Sequence, residues 1–218
     1  MRIGILGGTF NPIHLAHLRI AEEVREACAL DQVLFIPAAM PPHKELAGNT
    51  SFAHRLAMVE AAIAGNSSFV ATDLEAQRGG KSYSVHTLEI LHQQSPGNEY
   101  FFIIGMDSFL EITLWKDYQR LFELANLVVA ARPGFAGDDP LRLLPVAIRG
   151  QFCYDSGAKK LRHSSGTSIF FVEETQLAIS SSGIRQLVAQ GRSIRYLVPE
   201  AVYGYILNTA LYQGLERS

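Results

Sequence analysis

Cysteine is scarce in this chain: Cys28 and Cys153 are the 2 in 218 residues, far apart and with no CxxC spacing. A disulfide framework or a thiolate zinc finger needs more thiols at closer spacing. An excess of one charge is lacking too. Lys plus Arg is 19 and Asp plus Glu is 21, a net charge of −2. A surface built for nucleic acid is basic, so no nucleic-acid partner is expected. No stretch approaches the ~18 uninterrupted apolar residues of a membrane span. Leu56–Gly65 looks apolar but carries Glu60 and reads as an amphipathic helix, so no membrane partner is expected either. The opening run Ile3–Leu6 stops at two glycines, short of the ~7–15 apolar residues of a secretory signal. The expectation is a soluble, cytoplasmic protein. Three nucleotide or nucleophile motifs are also missing. There is no GxGxxG, no GK[ST] directly following Gly8 in the first glycine turn, and no GxSxG.

What is present is an ordinary globular mixture, 48% hydrophobic and 18% charged, which excludes a disordered tail protein. A chain of this length buries a core without staples. It is expected to form one domain over 1–218, with a helical C-terminal part at about 180–218 packed on it.

Ile3–Gly7 reads as a buried strand entering a tight turn. Leu15–Ala29 reads as a helix, with Leu18, Ala21, Val24 and Cys28 at spacings of three and four. Strands follow at Val33–Ile36, Phe69–Ala71, Tyr100–Ile104 and Leu127–Ala131, and helices at Ser51–Ala64 and Ser84–His92. This alternation predicts an α/β fold: a doubly wound, Rossmann-like parallel sheet with helices on both faces. Its ligands would lie beyond the carboxyl ends of the strands. The segment Arg132–Ser168, punctuated by Pro and Gly, reads as loop with a short helix around Leu141–Ile148. A last strand at Ile169–Val172 and helices at Ser182–Gln190 and Pro199–Leu211 complete the reading.

Two clusters carry chemistry. The first, Gly7-Gly8-Thr9-Phe10-Asn11-Pro12-Ile13-His14-Leu15-Ala16-His17, runs from the first strand into the first helix. Two glycines let backbone N–H groups approach an anion closely. The helix adds N–H donors and the positive end of its dipole. No acid precedes Glu22. His14 and His17, three apart, share a helix face and suit a phosphate whose charge grows during reaction. Two other readings stay open: a plain strand–turn–helix with surface histidines, and a metal-chelating pair, although no third ligand stands nearby in sequence.

The second cluster is Ile179-Ser180-Ser181-Ser182-Gly183-Ile184-Arg185. Serines suit a helix N-cap. A helix's first turn usually carries an acid; here it carries Arg185, and 180–199 contains no acid. Stacked donors with an arginine also suit an external phosphate.

GGTFNPIHLAH is similar to the HxGH signature of the nucleotidyltransferases, and ISSSGIR resembles that superfamily's distal phosphate motif. The segments between narrow the resemblance: Pro41-Pro42-His43-Lys44, His54-Arg55-Leu56-Ala57-Met58, Gly79-Gly80-Lys81-Ser82-Tyr83-Ser84, Ile103-Ile104-Gly105-Met106-Asp107-Ser108, Trp115, Ala131-Arg132-Pro133-Gly134 and Tyr196-Leu197-Val198-Pro199. Together they resemble the bacterial nicotinate-nucleotide adenylyltransferases over nearly the whole chain. Asn11 stands where many members have Asp, Ala16 replaces the Gly of HxGH, and His86 stands where Asp is frequent.

The resemblance implies transfer of the adenylyl group of ATP to nicotinate mononucleotide, with Mg²⁺ carried by the triphosphate and no metal ligands from the protein. It implies His14, His17 and Arg185 as catalytic residues. For ATP it implies Gly7, Gly8, Thr9, Phe10, Gly105, Asp107, Ser180, Ser181 and Ser182 beside those three. For the acceptor it implies Lys44, Tyr83, Ser84, Thr87, Trp115 and Arg132. His43, His54, His92 and His163 are expected to be structural or surface residues. Competing readings are a sibling enzyme acting on nicotinamide mononucleotide or another phosphorylated acceptor, a silent nucleotide-binding module, and a metal hydrolase built on the histidine pair.

Overall fold

A computed structural model describes residues 1–41, 50–131, 140–173 and 175–213. Elements alternate from the start: β1 (Arg2–Gly8), α1 (Leu15–Ala27), β2 (Gln32–Pro37), α2 (Phe52–Ile63), β3 (Phe69–Ala71), α3 (Leu74–Arg78), α4 (Ser84–Gln94), β4 (Glu99–Gly105), α5 (Met106–Leu110), α6 (Tyr118–Leu124) and β5 (Asn126–Ala131). Then come α7 (Val146–Arg149), β6 (Phe152–Asp155), β7 (Lys160–His163), β8 (Ser168–Glu173), α8 (Ser181–Ala189) and α9 (Glu200–Asn208). The strand order is β3-β2-β1-β4-β5-β8-β7-β6. Among the described residues, no helix is long and apolar enough to cross a membrane.

The fold divides into two compact units. The first comprises Met1–Leu6, Ile20–Val33 and Tyr83–Thr175. Its spine is parallel: Ile3 pairs with Tyr100, Phe101 with Asn126 and Leu127 with Ile169. Every residue of β5 is buried, as expected of a parallel strand covered on both faces. Gly4 is dictated by packing, since a Cβ there would lie 2.8 Å from Leu30 Cδ1 and 3.1 Å from Val33 Cγ2.

The sheet departs from the all-parallel expectation at one edge. β6 and β7 form an antiparallel hairpin, and β7 runs antiparallel to β8. The turn is closed by Asp155 Oδ1, which accepts from the Ala158 N–H at 3.0 Å. Lys159 takes a left-handed φ of 49°. Only Phe152, Leu161 and His163 of the two short strands are buried; the rings of Phe152 and His163 form a small cluster with Phe122. A one-sided strand of four residues offers too few apolar positions for its period to show, so Arg132–Ser168 read as loop.

The second unit comprises Gly7–Arg19, Leu34–Ser82 and Gln176–Ser218. It holds β3, α2, α3, α8 and α9. Helix α2 starts at Ser51, whose side chain accepts from the His54 N–H, and buries Arg55, Met58, Val59 and Ile63. The expected helix boundaries there agree to within a residue.

Candidate active site

Both sequence clusters fall in the second unit and meet there. Strand β1 ends at Gly8, and the chain turns through residues 9–12 before α1 begins. Gly8 is required by a close approach: a Cβ would sit 3.1 Å from the Phe10 ring. Phe10 takes a left-handed φ of 48° and is buried. Its ring meets His17 edge-on at 5.1 Å and Phe35 at 6.0 Å. Phe10 therefore serves as a wedge that sets the turn and backs His17. The Asn11–Pro12 peptide is cis.

His14 and His17 stack with ring centroids 3.7 Å apart. The His14 backbone N–H donates to His17 Nδ1 at 3.2 Å. That bond fixes the neutral tautomer of His17 with its proton on Nε2. Burial pushes His17 down to about 3, with His14 adding to the effect. Burial likewise pushes His14 down to about 4. At neutral pH both rings are uncharged donors rather than fixed cations. His14 Nδ1 is buried without a hydrogen-bond partner, a group that a bound ligand would satisfy.

The serine–arginine cluster caps α8 and reaches the same turn. Ser180 is the N-cap and accepts from the Gly183 N–H at 3.1 Å. Ser182 Oγ lies 3.2 Å from Ser180 Oγ. Ser181 Oγ donates to the Pro12 carbonyl at 2.8 Å, and Arg185 Nη1 donates to the Asn11 carbonyl at 2.8 Å. Arg185 thus spends one of its five N–H donors on the turn, and the half-buried guanidinium stands next to it. Capping and anion binding, opposed alternatives in the sequence, coexist: Ser180 caps while Ser181 and Arg185 join the two clusters.

Two contributors were missed. Arg55 of α2 is fully buried and donates from Nη1 to the Thr9 carbonyl at 2.8 Å. Burial lowers its pKa and nearby Glu75 opposes that. Its signal was available, since position 55 lies on the apolar stripe of α2 with Phe52, Met58 and Val59. Tyr212, beyond α9, is also buried, and its hydroxyl donates to Asn11 Oδ1 at 2.8 Å. No pattern in the sequence marks it.

The first unit holds the other candidates. Gly105 ends β4 and precedes α5; Asp107 lies in the first turn of that helix, and both are exposed. Tyr83 precedes α4. Its ring has Lys116 Nζ at 4.9 Å from the centroid and His86 edge-on at 5.6 Å. Ser84 opens α4 and is half-buried. Thr87 is buried and donates from Oγ1 to the Tyr83 carbonyl at 3.4 Å. Trp115 is half-buried, 6.1 Å from Phe102, and so is not a core tryptophan. Lys44, Arg132 and His43 lie outside the described residues. Of the remaining histidines, His54 bonds the Tyr205 hydroxyl, His92 the Leu124 carbonyl, and His163 bonds Ser165 and Gln151. Among the described residues, no three His, Cys, Asp or Glu side chains are grouped to hold a metal ion.

A model of the cytidylyltransferase-like family matches residues 5–187. A protein of Syntrophotalea carbinolica named "Probable nicotinate-nucleotide adenylyltransferase" is 67% identical over 218 residues, the whole of both chains. One of the same name from Geobacter sulfurreducens is 57% identical over 212 residues, 97% of this chain and 98% of that protein. Among solved structures, the nicotinic acid mononucleotide adenylyltransferase of Plasmodium falciparum, complexed with NaAD, is similar in fold. Its TM-score is 0.72 at 19% identity, over 97% of each chain. The chain belongs to the cytidylyltransferase-like family and, within it, to the nicotinate-nucleotide adenylyltransferases.

Proposed function

We propose that this protein transfers the adenylyl group of ATP to nicotinate mononucleotide, giving deamido-NAD and pyrophosphate. The observation that carries the reading is the meeting of His14, His17, Ser181 and Arg185 around one turn, in a chain 67% identical end to end to a relative of that name.

The chemistry asks little covalent work of the protein. The 5′-phosphate of the acceptor is already a nucleophile at neutral pH. Its oxygen attacks the α-phosphorus of ATP, a P–O bond forms, and the bond to the pyrophosphate breaks. The protein aligns two anions and supplies donors where charge builds. His17 Nε2–H is such a donor, because its Nδ1 is occupied by the His14 N–H. A triphosphate beside the two rings opposes the effect of burial, while His17 stays neutral as long as its Nδ1 accepts the His14 N–H. The backbone of Gly7, Gly8, Thr9 and Phe10 contributes N–H groups to the same end. Arg185 and the Ser180–Ser182 hydroxyls take the pyrophosphate end, and Gly105 and Asp107 the ATP ribose. A divalent cation such as Mg²⁺ would accompany the triphosphate and neutralise its charge, held by phosphate and water oxygens rather than by the protein. A cytoplasmic location fits substrates of this kind.

For the acceptor, Trp115 offers a flat wall for the pyridine ring, and Tyr83, Ser84 and Thr87 line its approach; Lys44 and Arg132 are assigned to the acceptor by the family resemblance alone. A nicotinate carboxylate wants donors and a positive field. Lys116, seated over Tyr83, supplies the field. Purified protein is given ATP and, in parallel, nicotinate and nicotinamide mononucleotides, and pyrophosphate release is followed. Nicotinate mononucleotide is expected to win by about tenfold or more in kcat/KM, one decade being ~1.4 kcal/mol. Equal efficiency would overturn the choice of acceptor; release with neither would overturn adenylyl transfer itself.

A further inference from the structure

The turn at residues 9–12 belongs to no helix or strand ladder, yet it is held from three directions. Arg55 from α2 takes the Thr9 carbonyl. Ser181 and Arg185 from α8 take the Pro12 and Asn11 carbonyls. The third hold comes from the far end of the chain, where the Tyr212 hydroxyl donates to Asn11 Oδ1 across 201 positions. A planar trans peptide sets its N–H opposite its C=O. With the Thr9 and Pro12 carbonyls tied down, the N–H groups of Phe10 and Ile13 are turned to the opposite side. Asn11 is the member of the turn fixed through both its backbone carbonyl and its side chain, and His14 follows three residues later.

Tyr212 is built for one position. Its ring is buried, its own φ is left-handed at 66°, and Met58 Sδ lies 4.0 Å from the hydroxyl. An aromatic ring placed here to fill space alone would be as well served by Phe; the hydroxyl is needed only for its hydrogen bonds, the one donated to Asn11 Oδ1 and one with the Thr50 side chain.

We propose that Tyr212 is a positioning residue for adenylyl transfer, its hydroxyl fixing the Asn11 side chain and through it the turn that delivers His14 and the backbone donors to the phosphates. The inference rests on the proposed transferase activity. It ties the described residues just beyond α9 to the catalytic apparatus through their hold on the turn.

The test is Tyr212→Phe, which keeps the ring, compared with Asn11→Ala and the double variant. ATP and nicotinate mononucleotide kinetics and thermal unfolding are measured on each. Tyr212→Phe is expected to lower kcat by about tenfold, the scale on which small displacements of aligned groups act, with the acceptor KM unchanged. The double variant is expected to be no slower than Asn11→Ala, because the hydroxyl acts through that side chain. Unchanged kcat in Tyr212→Phe would overturn the proposal. So would fully additive losses in the double variant, or a kcat deficit that vanishes below the unfolding transition of the variant. Should Asn11→Ala fail to fold, Tyr212→Phe decides alone, by its kcat against its acceptor KM. Absence of pyrophosphate release by the unmodified enzyme would instead fell the underlying activity, a separate outcome.

Discussion

The turn at 9–12 and the link between α5 and α6, which opens with a 3-10 turn at Ile112–Leu114, are held in opposite ways. In the first, the carbonyls of Thr9, Asn11 and Pro12 are each taken by a side chain from a distant element, and Phe10 is 2% exposed. In the second, Leu114 is 70% exposed, Trp115 is half-buried, Lys116 leans over Tyr83, and Asp117 sits in the left-handed region before α6. A transition state with growing charge is stabilised best by donors already in place. A flat ring needs a wall and a few polar contacts, which tolerate more play. Damage to the first segment should therefore appear in kcat, and damage to the second in the acceptor KM.

The hardest blow to that contrast is His17→Ala. It removes a donor at the site of developing charge and the ring stacked on His14. A fall in kcat of about 10²–10³ is expected, the scale for losing one transition-state donor, with the fold retained. Near-normal turnover by the variant would remove His17 from the mechanism.

Arg185→Ala comes next. It deletes the bond to the Asn11 carbonyl and, on the proposed assignment, a charge-assisted fork for the distal phosphates. The ATP kcat/KM should drop by roughly 10- to 100-fold, the worth of hydrogen bonds to charged groups. Arg185→Lys should recover part of it, keeping charge but not the two-pronged geometry. An effect on the acceptor KM alone would contradict the assignment.

Trp115→Ala tests the other side. An aromatic stack contributes about 0.5–1.5 kcal/mol, so the acceptor KM should rise a few-fold to about tenfold. The ATP KM should hold, and thermal stability should change little because the ring is half-buried. If ATP suffers more than the acceptor, Trp115 is not the wall.

The two regions also differed in how far residues alone revealed them. The phosphate turn was legible because its function demands unusual residues close together: paired glycines, two histidines at helical spacing, and serines with an arginine where an acid belongs. Buried parallel strands were legible for a related reason. A strand covered on both faces has to be apolar along its covered length, as residues 101–104 of β4 and 127–131 of β5 are. The β6–β7 hairpin was not, since Cys153, Tyr154 and Arg162 face outward and leave no apolar period to read. Tyr212 was illegible for a different reason. Its meaning lies in a bond spanning 201 positions, and no local pattern encodes such a pairing. Arg55 lies between these cases: a lone arginine on an apolar stripe signals burial, but not that it would hold the Thr9 carbonyl.

The smallest expected effect concerns acid. His14 and His17 are pushed by burial to about 4 and about 3, below the ordinary histidine value of 6.5 that they regain on unfolding. As pH falls from about 6.5 toward 4, the unfolded chain therefore takes up protons that the folded protein refuses, and stability declines with pH. His163, likewise lowered by burial, adds to the slope with the same sign. The unliganded protein should lose Tm steadily from pH 6.5 to 5, a window still above the range where most carboxylates titrate. His17→Asn, which removes one of the refused protons, should give a visibly shallower slope without abolishing it. Reading Tm in steps of half a pH unit on both proteins decides the matter. An identical slope would mean that His17 takes up its proton as readily in the folded protein as in the unfolded chain, and a steeper one that the fold favours its protonated form, making it a standing positive charge rather than a neutral donor.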